Sequence, residues 1–281
     1  MFDRLSRSWT LVKASASVLA QDKELLLFPL ISLGAMLAVF ACFAVPVVGL
    51  GALDGLSRGS SASPGFYLVV FLFYFSQYFV IFFFNAALVG AAMMRIDGGN
   101  PTFGDGMRIA TSKIAVIAGY AAIAATVGMV LRAIQERVGF IGRIVVGLLG
   151  VGWTIATFLV VPVLVARDVG PVEAVKESAA LLTKTWGENV IGRAGLATAF
   201  GLMFLGIALC CGFLLFVAML AHSFSLAAAA IALTVLAGCI LALVQSALSG
   251  IYEAALYRYA TTGEGTAGFD SKTLRLAFEP K

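Results

Sequence analysis

Five uncharged stretches dominate the chain: Leu25–Leu53, Pro64–Met94, Ile114–Leu131, Ile144–Ala166 and Ala194–Tyr252. A helix needs about 20 apolar residues to cross a bilayer, and the first four stretches each supply roughly one such length. The fifth, written as one helix, would reach about 90 Å at 1.5 Å per residue, against a hydrocarbon core of about 30 Å. It must fold back, and Ala221-His222-Ser223-Phe224-Ser225 is the predicted turn. The pattern therefore predicts an all-α, polytopic membrane protein with six transmembrane helices.

The segments between these runs carry a different period. Phe2, Leu5, Trp9, Val12, Ala16 and Leu19 recur every three or four residues, as do Phe103, Met107, Ala110 and Ile114. A third set is Val172, Val175, Ala179, Leu182 and Trp186. Each set forms one face of an amphipathic helix. Pro101-Thr102 followed by Asp105 resembles a capping box with Thr102 as cap. Gly170-Pro171 is a breaker followed by a helix start. Trp9 and Trp186 suit the headgroup level as interfacial anchors. Arg95, Arg167 and Arg258 each end an apolar run and are followed by Gly98, Gly170 and Gly263, candidate helix C-caps. Together these features predict three hairpins, each preceded by an amphipathic helix, in pseudo-repeats 1–98, 99–170 and 171–263 of one membrane domain. A tail, 264–281, follows. The repeated Pro-x-acidic signature of mitochondrial carriers is absent: Pro46 lies near the end of the first span, and the third and fifth spans hold no proline.

Composition agrees with this reading. Of 281 residues, 61% are hydrophobic and 12% charged, against roughly 25% charged in soluble domains; mean hydropathy is +1.00. Lys and Arg divide 15 to 4 between the two sets of loops, counting the N-terminal segment and the tail with the larger set. That asymmetry places both termini in the cytoplasm and His222 outside, as expected for a bacterial cytoplasmic membrane. The 24 mixed-charge residues before the first apolar run do not read as a cleavable signal. Net charge is +4 without a basic run, so no nucleic-acid partner is expected.

Candidate chemistry is sparse. Cys42, Cys210, Cys211 and Cys239 lie in apolar runs and read as small hydrophobic residues. His222 is the single histidine, so no catalytic triad or histidine-rich metal site is expected. The Gly98–Gly106 stretch is glycine-rich but lacks the phosphate-loop form, and reads as a turn between helices. No catalytic residue, cofactor or metal is expected. The polar residues within the spans are Gln77 and Asn85 on one face, and Gln245, Ser249 and Tyr252 on another. Glu253 lies five residues before Arg258, about 7–8 Å along a helix. A carboxylate at that depth must be paired or wet, and Arg95, Arg167 and Arg258 are its candidate partners. Asn85, Gln245, Glu253 and these three arginines form the candidate polar pocket. The alternative is hydrogen bonding between helices that only holds the bundle. Ala86-x-x-x-Gly90 and Ala228-x-x-x-Ala232 fit the small-residue pattern of close helix contact, within the chain or with a partner or second copy.

Several blocks carry a resemblance. Ser8-Trp9-Thr10-Leu11-Val12-Lys13, Asp22 to Pro29, Asp97-Gly98, Pro101-Thr102, Trp186-Gly187 and Ala255-Leu256-Tyr257-Arg258-Tyr259-Ala260 resemble an uncharacterised prokaryotic integral membrane family, a domain of unknown function. The resemblance implies fold and membrane location, and no activity. A looser likeness, in the helices before the hairpins, is to the membrane domain of bacterial glycerophosphodiester phosphodiesterases, whose catalytic barrel this chain lacks. The sequence favours a non-catalytic membrane scaffold or complex subunit. The alternative is a transporter or lipid-handling protein with a cytoplasm-facing polar pocket. Membrane lipids are partners under either reading.

Overall fold

The computed structural model describes the backbone of residues 15–49, 64–184 and 186–262, with side chains described for 15–45, 65–183 and 200–262. Most of the first predicted amphipathic set, including Trp9, lies outside these residues, as do the Trp186 side chain, Gly263 and the tail. Among the described residues all regular structure is helical: α1 (15–21), a 3-10 turn Lys23–Leu26, α2 (Leu27–Gly49), α3 (Pro64–Ile96), α4 (Phe103–Ser112), α5 (Ile114–Arg137), α6 (Phe140–Ala156), α7 (Val160–Ala166), α8 (Pro171–Lys184), α9 (Trp186–Leu220) and α10 (Phe224–Thr262). Among the described residues six stretches are long and apolar enough to cross a membrane, with α6 and α7 together making the fourth. The chain turns between Leu220 and Phe224, where His222 takes a left-handed φ of 48°. His222 N–H donates to Met219 O at 3.1 Å, and Ser223 N–H to Ala218 O at 3.1 Å. This pair of bonds closes α9 as a Schellman motif.

The core gathers at one end of the bundle. Buried residues fall at the start of α2 and α5, along α7 and at the ends of α3 and α10. At the other end, apolar side chains such as Leu37, Phe40, Leu148, Phe213 and Leu236 stay exposed. Apolar exposure of this extent suits hydrocarbon rather than water.

α3 is the hub, packing against α2, α4, α5, α7 and α10. Its last turns carry Ala86, Ala87, Gly90, Ala91 and Ala92, all buried, and small residues let helix backbones approach closely. α4 lies against this face. A Cβ on Gly90 would meet Ile109 Cγ2 at 2.9 Å, and one on Gly106 would meet the Ala87 carbonyl oxygen at 2.7 Å. The N-terminus of α4 is fixed by the capping box: Thr102 Oγ1 accepts from Asp105 N, and the Asp105 carboxylate accepts from Thr102 N. Glu24 Oε2 accepts from Phe103 N at 2.9 Å, and the Phe28 and Phe103 rings stack at 4.9 Å, tying α4 to the start of α2.

The fourth span departs from the predicted continuous helix. It breaks at Thr157–Leu159, because Pro162 has no N–H and its ring cannot sit against a helical carbonyl four residues earlier. The break would leave the Leu159 N–H unpaired in an apolar interior, which is costly. Ser178 of α8, fully buried, supplies its Oγ as acceptor at 3.0 Å. That requirement turns α8 from its predicted face. Ala174, Ser178 and Leu182 are buried, whereas Val172 is 56% exposed. Near the N-terminus Ser15, Val18, Leu19 and Asp22 are buried and Ala16 is exposed. Ile114 opens α5 and is also exposed, rather than closing the α4 face.

The predicted C-caps divide. Gly98, at φ 85°, closes α3, with Gly99 N–H donating to Met94 O at 3.0 Å. Gly170 does not cap α7, which ends at an extended Arg167; its carbonyl instead accepts the first bond of α8, from Ala174 N at 2.9 Å. Lys113 pairs with Asp168 and donates to the Arg167 carbonyl at 3.0 Å, so the α7–α8 connection is tied to the α4–α5 junction.

Replacing Ser178 with alanine leaves a buried N–H without an acceptor. Ser178→Ala should cost about 1–3 kcal/mol, read as a lower melting temperature in detergent, whereas the exposed Thr183→Ala should not. The capping box has a defined pH response. The Thr102 hydroxyl, then its backbone N–H, hold the Asp105 carboxyl below its ordinary value. A depressed carboxylate stabilises above its unfolded-state pKa and loses that contribution as pH falls through the folded-state value. Amide protection at Thr102, corrected for intrinsic exchange, should therefore persist from pH 7 to about 5 and disappear only below the usual carboxylate range. Asp105→Ala should abolish it throughout.

Candidate functional site

A groove of about 350 Å³ lies between α2, α3 and α10. α2 contributes Pro29, Ser32, Leu33 and Met36; α3 contributes Ile81, Phe84, Asn85 and Leu88. α10 contributes Cys239, Ala242, Leu243, Ser246, Ser249, Gly250 and Glu253. Each set advances by three or four residues, so each helix presents one continuous stripe. The walls are mostly apolar. Glu253 ends the α10 stripe, with Ser249 and Ser246 one and two turns along it, and Ser32 lies on the α2 wall. Cys239, Ala242 and Ser246 are exposed, so the groove is open along its α10 wall.

Asn85 and Glu253, 168 positions apart, meet across this groove: Asn85 Nδ2 donates to Glu253 Oε2 at 3.3 Å. Gly250 makes the approach possible. A Cβ there would stand 2.5 Å from Leu88 Cδ2 and 3.3 Å from Asn85 Oδ1. Tyr120, buried in α5, lies within electrostatic reach of Glu253 and of Thr157 at the break in the fourth span. Its ring lies 4.5 Å from that of Phe82. Glu253 thus lines the groove within electrostatic reach of Tyr120.

The other predicted pocket residues do not line the groove. Gln245 lies about 100° around α10 from Ser246, outside the arc from Ser249 to Leu243. Tyr252, expected on the face of Gln245 and Ser249, is buried with its ring 6.3 Å from that of Phe158. Gln77 donates to the Met36 carbonyl at 3.2 Å, joining α3 to α2. The three arginines pair elsewhere. Arg95 donates to Gly99 O at 3.2 Å and Asn100 Oδ1 at 3.0 Å. Arg167 pairs with Glu177 at 2.7 Å. Arg258 pairs with Asp97. All three sit at helix ends, and their long side chains reach loops and neighbouring helices there. Sequence reasoning missed Ser32, Ser246 and Ser178. The spacing Ser246-x-x-Ser249-x-x-x-Glu253 is a helical stripe and could have shown two of the groove's hydroxyls.

A family described as a family of unknown function (DUF6159) matches residues 65–269. The chain belongs to this family. The match takes in the α3 and α10 walls of the groove, with Asn85 and Glu253, and starts after the α2 wall. The blocks Ser8–Lys13 and Asp22–Pro29 also precede it. No curated protein matches the sequence.

The role of Gly250 is testable within one helix. Gly250→Val should drive Leu88 and Asn85 off α10, lowering stability by about 1–3 kcal/mol as overpacking does. Gly238→Val is the control, because nothing lies within 4 Å of a Cβ there. Thermal denaturation of both variants in the same detergent checks the difference.

Proposed function

We propose that this protein binds a membrane amphiphile in the α2–α3–α10 groove and acts in lipid handling. The observation that carries the reading is the groove itself: apolar along its length, open on one side, and ended by a hydrogen-bonded carboxylate–amide pair. Its volume falls within the range of about 300–1,000 Å³ usual for small-molecule sites. An ionisable residue kept within the apolar thickness of a membrane protein marks function more often than packing. The broken fourth span adds support, because interrupted helices at membrane depth recur where transporters hold substrate.

The architecture that fits this role has three hairpins, each led by a cytoplasmic amphipathic helix, in a single domain over 1–263. Both termini face the cytoplasm of a bacterial cell, and the protein sits in the cytoplasmic membrane. The groove's polar end then lies on the cytoplasmic side. A second reading, a complex subunit, draws on one observation: Ala228 and Ala232 are both exposed on α10. That small-residue face is free to meet a protein partner or a second copy.

The test is purification in mild detergent followed by mass spectrometry of bound lipids and proteins. Wild-type protein should retain lipid near one per chain, and Ala242→Trp, which fills the groove, should retain about tenfold less, a difference of about 1.4 kcal/mol in binding. Equal retention by both overturns the reading. A stoichiometric protein partner with no groove-dependent lipid establishes the complex-subunit reading instead.

A further inference from the structure

The level of the groove across the bilayer decides which lipids can reach it, given the groove-binding reading above. α2 supplies one measure of that level. Its 23 residues extend about 34 Å, close to the hydrocarbon thickness of about 30 Å. Asp22, Lys23 and Glu24 precede it, so Leu27 marks one edge of the apolar layer. The α2 wall runs on to Met36, about 13–14 Å from Leu27 and near the bilayer midplane. α10 gives the same level independently. Cys239, at the far end of the α10 stripe, lies about 21 Å from Glu253 and about 22 Å from Phe224 at the opposite turn. A bilayer with its headgroup zones is about 40–45 Å thick, so Cys239 also falls midway. Glu253 is then left where the apolar layer meets the headgroups.

Direct contacts pin the groove at both levels. Near the midplane, Gln77 of α3 donates to the Met36 carbonyl at 3.2 Å. One turn further out, the Phe73 ring lies 6.3 Å from that of Phe40 and 5.5 Å from that of Phe43, again joining α3 to α2. At the other end Gly250 brings α10 onto Leu88 and Asn85. The groove is therefore a wedge, held between α2 and α3 at the midplane and between α3 and α10 near the headgroups. Cys239, Ala242 and Ser246 are exposed along it, so it opens sideways onto the acyl layer of one leaflet, about 15 Å deep. A lipid chain can slide in there with its head still at the membrane surface. Crossing the midplane would instead carry the head through hydrocarbon, which is costly. We infer that the groove takes an acyl chain of a lipid resident in the leaflet on the Glu253 side, entering sideways past Ala242, and that it is not a path from one leaflet to the other. On the topology proposed above this is the cytoplasmic leaflet.

Leaflet-specific photolabelling tests this. The full chain, with an affinity tag after Lys281, is reconstituted in phosphatidylcholine vesicles. Capture on the tag sorts the vesicles into a fraction with the tagged end of α10 outward and one with it inward. Cyclodextrin exchange then loads only the outer leaflet with phosphatidylcholine carrying a diazirine halfway along one chain. After irradiation, adducts are mapped by peptide mass spectrometry. Leu33 and Ile81, both half-buried on the groove walls, should be labelled in the outward fraction and lose that label in the inward fraction. The inward fraction should instead be labelled at Leu226, near the opposite end of α10. Ala242→Trp should lower the Leu33 and Ile81 adducts about tenfold, as for lipid retention. Equal labelling of Leu33 and Ile81 in both fractions, or labelling only in the inward one, overturns the leaflet inference and leaves groove binding standing. No label at either residue in both fractions, or label that Ala242→Trp leaves unchanged, overturns the groove reading with it. The comparison of the two wild-type fractions decides the leaflet even if Ala242→Trp does not fold.

Discussion

The close approach of helices around the last turns of α3 is the constraint on which the rest of the structure depends. A bilayer gives helices no hydrophobic reason to associate, because lipid tails are as apolar as leucine. Attraction must come from packing and from polar contacts, and both require short distances. Ala86, Ala87, Gly90, Ala91 and Ala92 provide them on α3, and Gly106 and Gly250 on the helices that meet it. Where these small residues run out, the bundle loosens and large apolar side chains face outward. The groove forms at the margin of this packed region, where α2 and α10 both contact α3 and serine and alanine leave space between them.

A second constraint follows from the apolar setting. Backbone groups released by a broken helix have no water to turn to. Pro162 imposes the break, and Ser178 answers it from another helix. This one bond sets the rotation of α8 and positions the connection through Arg167, Asp168 and Lys113. Tyr120 lies within electrostatic reach of both Thr157, at the same break, and Glu253. The irregular helix and the carboxylate therefore belong to one polar region within an otherwise apolar bundle. Its members come from α3, α5, α10 and the α6–α7 break.

The legibility of the sequence was uneven for definite reasons. Local signals read correctly: the Thr102–Asp105 box, the Pro171 start, the Gly98 cap and the turn at His222 all involve residues within a few positions of one another. Asn85 and Glu253 each stand out in sequence as an amide or charged side chain among alanines and leucines, but their pairing does not: Glu253 is expected to pair with an arginine, and it meets Asn85 instead. The arginines were assigned to the pocket because they lie near its level along the helices. Level is not azimuth, and nearer carboxylates at Asp97 and Glu177 took two of them. The break in the fourth span was missed because hydropathy counts apolar residues and Pro162 is surrounded by them. The amphipathic face of α8 was misplaced by part of a turn, since the buried Ser178 looks polar in sequence until its acceptor role is visible.

By itself the sequence determined the class, the number of long apolar helices and their approximate limits, because these follow from the length of uncharged chain against the thickness of a bilayer. It also determined which few residues were chemically exceptional. Only the tertiary structure decided which of them meet. Contact between Asn85 and Glu253 depends on the rotation of α3 and α10, on the missing side chain at Gly250 and on the separation of α2, none of which composition or spacing along one helix can set.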